Sequence, residues 1–173
     1  VLVLDGGDSS DRNHWESDIT KGRANFALLD AMGVQASVVG NGEALQWGRT
    51  ALARLVAAAH FPVLAANLVD CADPARLAVP GLQASVLLDL DGFKLGLTSA
   101  TARYGTGYTR FGYDAVDPLP VLRRELAALK AQGAQALILL SHLGYATAEE
   151  KAKWRNPDDL TDADVAAAFP ELA

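Results

Sequence analysis

The chain has 173 residues, 50% of them hydrophobic and 21% charged, which suits one globular core and not a disordered segment. Fifteen Lys and Arg against 21 Asp and Glu leave a net charge of −6, so no broad basic face is available for a nucleic-acid backbone. The longest apolar stretches, such as residues 136–140, fall far short of the ~20 residues a membrane span needs, and the single cysteine, Cys71, excludes an internal disulfide framework and a CxxC metal knuckle.

No basic-then-apolar leader is visible, and Val1 opens the chain inside an apolar run, as expected of a fragment; cytoplasmic and exported locations both stay open. Residues 1–4 are wholly apolar and run into Asp5-Gly6-Gly7-Asp8, the pattern of a buried parallel strand entering a tight turn. A polar loop is expected over residues 9–20. Residues 22–32 carry Phe26, Leu29 and Met32 at helical spacing, with Gly33 as the stop. A second strand is expected at 34–39, closed by Gly40-Asn41-Gly42. Residues 45–59 read as one helix with Leu52, Leu55 and Val56 on its apolar face. Residues 61–66 form a third strand with Pro62 at its entry, where a missing N–H does least harm. This β-α-β-α-β order implies a parallel sheet.

The middle of the chain differs. Two strands, 86–90 and 93–97, flank Asp91-Gly92, a strong hairpin signal. Residues 104–113, rich in Gly, Tyr and Thr, read as an ordered loop that either lines a pocket or packs over the sheet edge. Asp117 and Pro118 open a helix to Ala131 as cap and first-turn proline, and Gly133 ends it. A last buried strand, 136–140, runs into Ser141-His142-Leu143-Gly144. A loop with a helical piece over 146–159 and a short helix over 161–169 complete a single α/β domain containing an antiparallel hairpin. Glu149-Glu150-Lys151 and Asp158-Asp159 read as solvated faces.

Function in α/β sheets gathers beyond the carboxyl ends of the strands. Three such ends carry metal-ligand chemistry here: a carboxylate at Asp8, an amide at Asn41 and an imidazole at His142. Each also has a purely structural explanation, as a cap or turn (Asp8), a left-handed turn residue (Asn41) or a hydrogen-bonded buried histidine (His142). Other signals are weaker. No G-x-G-x-x-G, P-loop or G-x-S-x-G elbow is present. His60 ends a helix, and His14 sits in a polar loop.

Leu4-Asp5-Gly6-Gly7-Asp8, Gly40-Asn41-Gly42-Glu43, Ala65-Ala66-Asn67-Leu68 and Leu140-Ser141-His142-Leu143-Gly144 occur in this order, each at a strand end. Together they resemble the calcineurin-like metallophosphoesterases, specifically the amino-terminal domain of the 5′-nucleotidase and UDP-sugar hydrolase family. The resemblance covers essentially the whole chain. It implies an α-β-β-α sandwich with mixed sheets, incomplete at both ends, with residues 1–173 as part of a catalytic domain. It also implies two divalent metal ions (Mn, Zn, Fe or Mg), with Asp8 bridging both and Asn41 and His142 on the second. Asp5 would serve turn donors and not a metal. The implied substrate is a small phosphoester, a nucleotide phosphomonoester or pyrophosphate, with no nucleic-acid or membrane partner.

The family usually carries histidine where Gly42 stands, so no catalytic residue is assigned. Gly7-Asp8-Ser9-Ser10-Asp11-Arg12 matches a Gly-Asp-x-x-Asp-Arg motif of some bacterial relatives. Arg12 would then contact a phosphate, its planar fork suiting bidentate recognition; a solvated loop arginine is the alternative. Asp8, Asn41 and His142 alone do not complete the family's ligand set. A catalytically degenerate nucleotide- or partner-binding relative, or an inactive fragment of the enzyme, is therefore the rival to a metal-dependent phosphoesterase.

Overall fold

The computed structural model describes residues 1–103, 106–153, 159–170 and 172. In chain order the elements are β1 (Leu4–Asp5), α1 (Trp15–Thr20), α2 (Arg23–Ala31), β2 (Ala36–Val38), α3 (Asn41–Leu45), α4 (Arg49–Ala58), β3 (Val63–Leu64) and β4 (Leu68–Asp70). There follow β5 (Ser85–Leu90), β6 (Phe93–Thr101), α5 (Thr106–Thr109), β7 (Tyr113–Ala115), α6 (Pro118–Ala131), β8 (Ala136–His142), α7 (Ala148–Lys151) and α8 (Asp162–Ala168).

Two sheets stack between two helical layers. The first is parallel in the order β1-β2-β3, as the β-α-β-α-β pattern requires. The second runs β5-β6-β8: β5 and β6 form the expected antiparallel hairpin, and β8 adds in parallel to β6. Asp91 and Gly92 turn that hairpin with both φ values positive, 54° and 90°. Phe26, Leu52, Leu55 and Val63 bury the first sheet under α2 and α4, while Leu122, Leu126, Leu129 and Leu137 bury the second under α6. Between the sheets Ala36, Val38 and Leu64 meet Leu95, Leu97 and Leu140. The result is an α-β-β-α sandwich of one parallel and one mixed sheet.

The period-two alternation of β6 and β8 decides what each face carries. On β8, Ile138 and Leu140 face the first sheet, whereas Leu137 and Leu139 pack on the α6 side. On β6, Leu95 and Leu97 share the inter-sheet face, and Gly96 faces α6. A Cβ on Gly96 would come within 2.9 Å of Leu137 and 3.1 Å of Leu129, so glycine here lets the helix approach the sheet.

Several expectations are corrected. The polar stretch 9–20 contains α1. The helix expected over 45–59 starts only at Arg49, as α4, because Gly48 adopts φ 79° with the Phe111 ring against it; Leu45 instead ends the separate α3. On α2 only Phe26 is buried, and Met32 is exposed. The loop expected over 104–113 contains α5, and its last residue, Tyr113, begins β7, which pairs antiparallel with β4. Within that loop Tyr108 and Tyr113 are fully buried, their hydroxyls donating to the Ala102 and Ala44 carbonyls, so they pack and line no open pocket. Tyr104 and Asp158 lie outside the described residues. The helix from Pro118 to Ala131 is as expected, with Asp117 accepting from the Leu119 N–H at 3.0 Å.

Leu97 is wholly buried in the inter-sheet core. Leu97→Ala is expected to lower unfolding free energy by about 2–5 kcal/mol, read as a fall in the urea midpoint. Leu28→Ala, on an exposed side chain, is expected to change it by less than about 0.5 kcal/mol.

Candidate metal centre

At the carboxyl ends of the strands the inter-sheet face turns polar. The Ser99 hydroxyl accepts from the Ala66 N–H at 3.0 Å, and the Thr101 hydroxyl donates to the Val39 carbonyl at 2.7 Å. Asn67 is fully buried; its amide nitrogen donates to the Thr101 and Val116 carbonyls, both at 2.9 Å, and its oxygen accepts from the Thr101 N–H at 2.8 Å. These bonds tie the second sheet to the loops of the first. They leave His142, two residues beyond Leu140 on the same face of β8, aimed at the ends of β1 and β2.

Asp8, Asn41 and His142 converge there. His142 Nε2 lies 3.3 Å from Asp8 Oδ2 and 3.2 Å from Asn41 Oδ1, and its Nδ1 lies 2.8 Å from the Gly6 carbonyl. The imidazole thus faces oxygen at both ring nitrogens. A neutral ring has one N–H, so this setting demands either a second proton or a cation at Nε2. The Asp8 hydrogen bond, opposed by burial and helped by the Gly6 carbonyl, raises the His142 pKa to about 9. For Asp8, burial pushes upward, but the His142 bond and the Gly42 N–H hold its carboxyl below the ordinary value.

The loops carrying these residues touch backbone to backbone. Asp8 itself is left-handed, φ 55°, while Asn41 is not; Asn41 opens α3. A Cβ on Gly7 would lie 2.9 Å from both Gly40 N and the Val38 carbonyl. One on Gly42 would lie 2.7 Å from the Ser10 carbonyl and 3.0 Å from Asp8 Oδ1. Position 42 therefore has no space for a side chain with this backbone, and it contributes its N–H to Asp8 instead.

Asp5 accepts from the Gly7 N–H at 3.3 Å and from the Ser9 and Ser37 hydroxyls, a turn anchor as expected. Arg12 is more than half exposed, with its guanidinium 3.7 Å from Asp18, outside the three-residue cluster. His14 pairs with Asp11 at 3.3 Å, and His60 with Asp30 at 3.0 Å, both on the surface. Glu43 ends the Gly40-Asn41-Gly42-Glu43 motif, and the sequence assigns it no role. It is buried and receives hydrogen bonds from both loops, and burial pushes its carboxyl pKa upward. An acidic residue three positions after the helix-opening Gly40 was the available signal.

The donor set suits a divalent cation: a carboxylate, an amide oxygen and an imidazole whose far nitrogen is oriented by a main-chain carbonyl. Among the described residues no group of three or more His, Cys, Asp and Glu side chains is placed to hold a metal; this cluster has two such residues and an amide.

Comparisons with known proteins bear on the class. A Bacillus subtilis metallophosphoesterase, the uncharacterized YunD, is 31% identical over 173 residues, 99% of this chain and 34% of its own. A 5′-nucleotidase of Diplobatis ommata is 28% identical over 149 residues, 85% of this chain and 26% of its own. The solved structure of the calcineurin-like phosphoesterase YfkN of Bacillus subtilis shares the fold, with TM-score 0.73 at 18% identity, over 99% of this chain and 55% of that one. No protein-family model matches. With its sandwich, its strand-end cluster and these relatives, the chain belongs to the calcineurin-like metallophosphoesterases, a family of hydrolases. Within them it is of the 5′-nucleotidase amino-terminal-domain type. It spans 34% or less of the length of the curated relatives it matches.

The His142 pairing makes a pH prediction for EDTA-treated protein. Its folded pKa of about 9 lies above the ordinary 6.5, so its contribution to stability is full below 6.5 and lost as pH rises through 9. Urea unfolding across that window is expected to show the decline. Asp8→Asn is expected to remove most of it and to bring the His142 titration, followed by NMR, back toward 6.5.

Proposed function

We propose that residues 1–173 are part of the catalytic domain of a metal-dependent phosphoesterase acting on phosphomonoester or pyrophosphate bonds of nucleotides or related small molecules. The convergence of Asp8, Asn41 and His142 from three strand ends carries this reading. Those three residues would hold divalent cations, two in the complete site, of the Mn, Zn, Fe or Mg kind. When bound, such ions neutralise phosphoryl charge and lower the pKa of a coordinated water.

The chain's own residues prepare that site. The Gly6 carbonyl accepts a hydrogen bond from the Nδ1–H of His142, which would leave Nε2 as the ligating nitrogen. The Gly42 N–H orients one Asp8 oxygen and leaves the other toward His142. Arg12 supplies a guanidinium beside the Asp8 loop. Its partner Asp18 is solvent-accessible and 3.7 Å away, so water screens the pair and a phosphate would compete for the guanidinium. Position 42 offers no side chain for leaving-group protonation, so good leaving groups are favoured.

Phosphate release from nucleoside mono- and diphosphates, with and without Mn²⁺, tests the reading. Activity is expected to require the metal and to fall about 100-fold or more in His142→Ala. Nucleotide binding without phosphate release at saturating Mn²⁺ would instead establish the degenerate binding relative. Arg12→Ala is expected to raise KM with kcat nearly unchanged; an unaltered KM would return Arg12 to a solvated loop residue.

A further inference from the structure

Among the described residues, Glu43 is the only carboxylate that is fully buried, at 2% exposure, and it makes no direct ion pair there. A buried charge without a counter-ion persists only when hydrogen bonds saturate it. Glu43 is saturated. Oε1 accepts from the Ser10 N–H at 2.8 Å and the Ser10 hydroxyl at 2.9 Å, while Oε2 accepts from the Asp8 and Gly40 N–H groups, both at 3.0 Å. With each oxygen taking two donors, no lone pair is left for a cation. Glu43 is therefore not itself a ligand.

Its donors come from two loops, residues 8–10 after β1 and Gly40 after β2. The ladder between those strands is two residues long, Leu4 with Ala36 and Asp5 with Ser37, and it ends before either loop begins. Beyond the ladder, the side chain of Glu43 bonds the main chain of one prospective ligand, Asp8, and of the residue preceding another, Asn41. It also holds Asp8 at a left-handed φ that residues with a Cβ rarely adopt.

We propose that Glu43 is a positioning residue of the metal centre, setting the Asp8 carboxylate against the Asn41 amide through the N–H groups of Asp8, Ser10 and Gly40. This rests on the reading of Asp8, Asn41 and His142 as ligands. Glu43→Gln keeps the shape but turns an amide group toward donors where an oxygen accepted. Glu43→Asp keeps the charge and withdraws it by one methylene, out of reach of both loops.

Calorimetric Mn²⁺ titration of the chain is expected to give affinities about 10–100-fold weaker in both variants. Leu126→Ala, destabilised in the remote α6 core, is expected to bind like the parent, which separates positioning from loss of stability. Parent-like affinity in Glu43→Gln would overturn the proposal, as would parent-like affinity in Glu43→Asp, which would leave charge alone at work. A parent that binds no Mn²⁺ refutes the ligand reading, and Glu43 is then judged in EDTA-treated protein. There, Glu43→Gln is expected to speed amide exchange at Ser10 and Gly40 and to shift the His142 ring nitrogens away from their Asp8-bonded values, with β6 and β8 still protected. Unmoved His142 signals would overturn the proposal.

Discussion

The candidate site exists because two sheets pack face to face with their parallel strands ending at the same edge. Leu95, Leu97, Ile138 and Leu140 press against Ala36, Val38 and Leu64, and this apolar seam locks the register of β6 and β8. A slip of one residue would turn that whole set toward α6 and send His142 with it. The same alternation that buries Leu140 therefore aims His142, two residues on, at Asp8 and Asn41. Ser99, Thr101 and Asn67 then close the polar end of the seam with hydrogen bonds, so the loops are held where hydrophobic contact stops.

At that edge the chain gathers charged groups around one imidazole. Asp8 and Glu43 both lie close enough to His142 to raise its pKa, and the ring is left with oxygen on either side. Such a cluster costs stability unless a proton or a metal ion occupies it. The left-handed Asp8 and the side-chain-free contacts at Gly7, Gly40 and Gly42 belong to the same local compromise. Backbone strain and perturbed titration of this kind concentrate at functional sites. The cation-dependent centre proposed above rests on that compromise.

Much of this was legible beforehand. The β-α-β-α-β opening, the Asp91-Gly92 hairpin and the Asp117-Pro118 helix start were readable because each rests on local rules: periodicity, turn chemistry and capping. The break at Gly48 was not, since the apolar stripe of Leu52, Leu55 and Val56 runs up to it and only the Phe111 ring, 63 positions later, marks where the chain turns. The β4–β7 ladder was hidden for a like reason. Its two short strands are far apart in sequence, and the buried tyrosines that accompany them look polar in a glycine-rich stretch.

The site divides in the same way. Asp8, Asn41 and His142 could be named from the sequence because strand ends in an α/β sheet are set by hydrophobic pattern and glycine punctuation, both written locally. Whether three strand ends meet depends on the packing of one sheet against another, which no local pattern encodes. Nor does it encode that Glu43 is buried, that position 42 is closed to any side chain, or that Arg12 leans on Asp18. The chain's sequence by itself determined its class of fold and the chemistry available at each strand end. Only the tertiary structure decided which of those groups face one another, because that is settled by contacts between residues as much as 136 positions apart, His142 on Gly6.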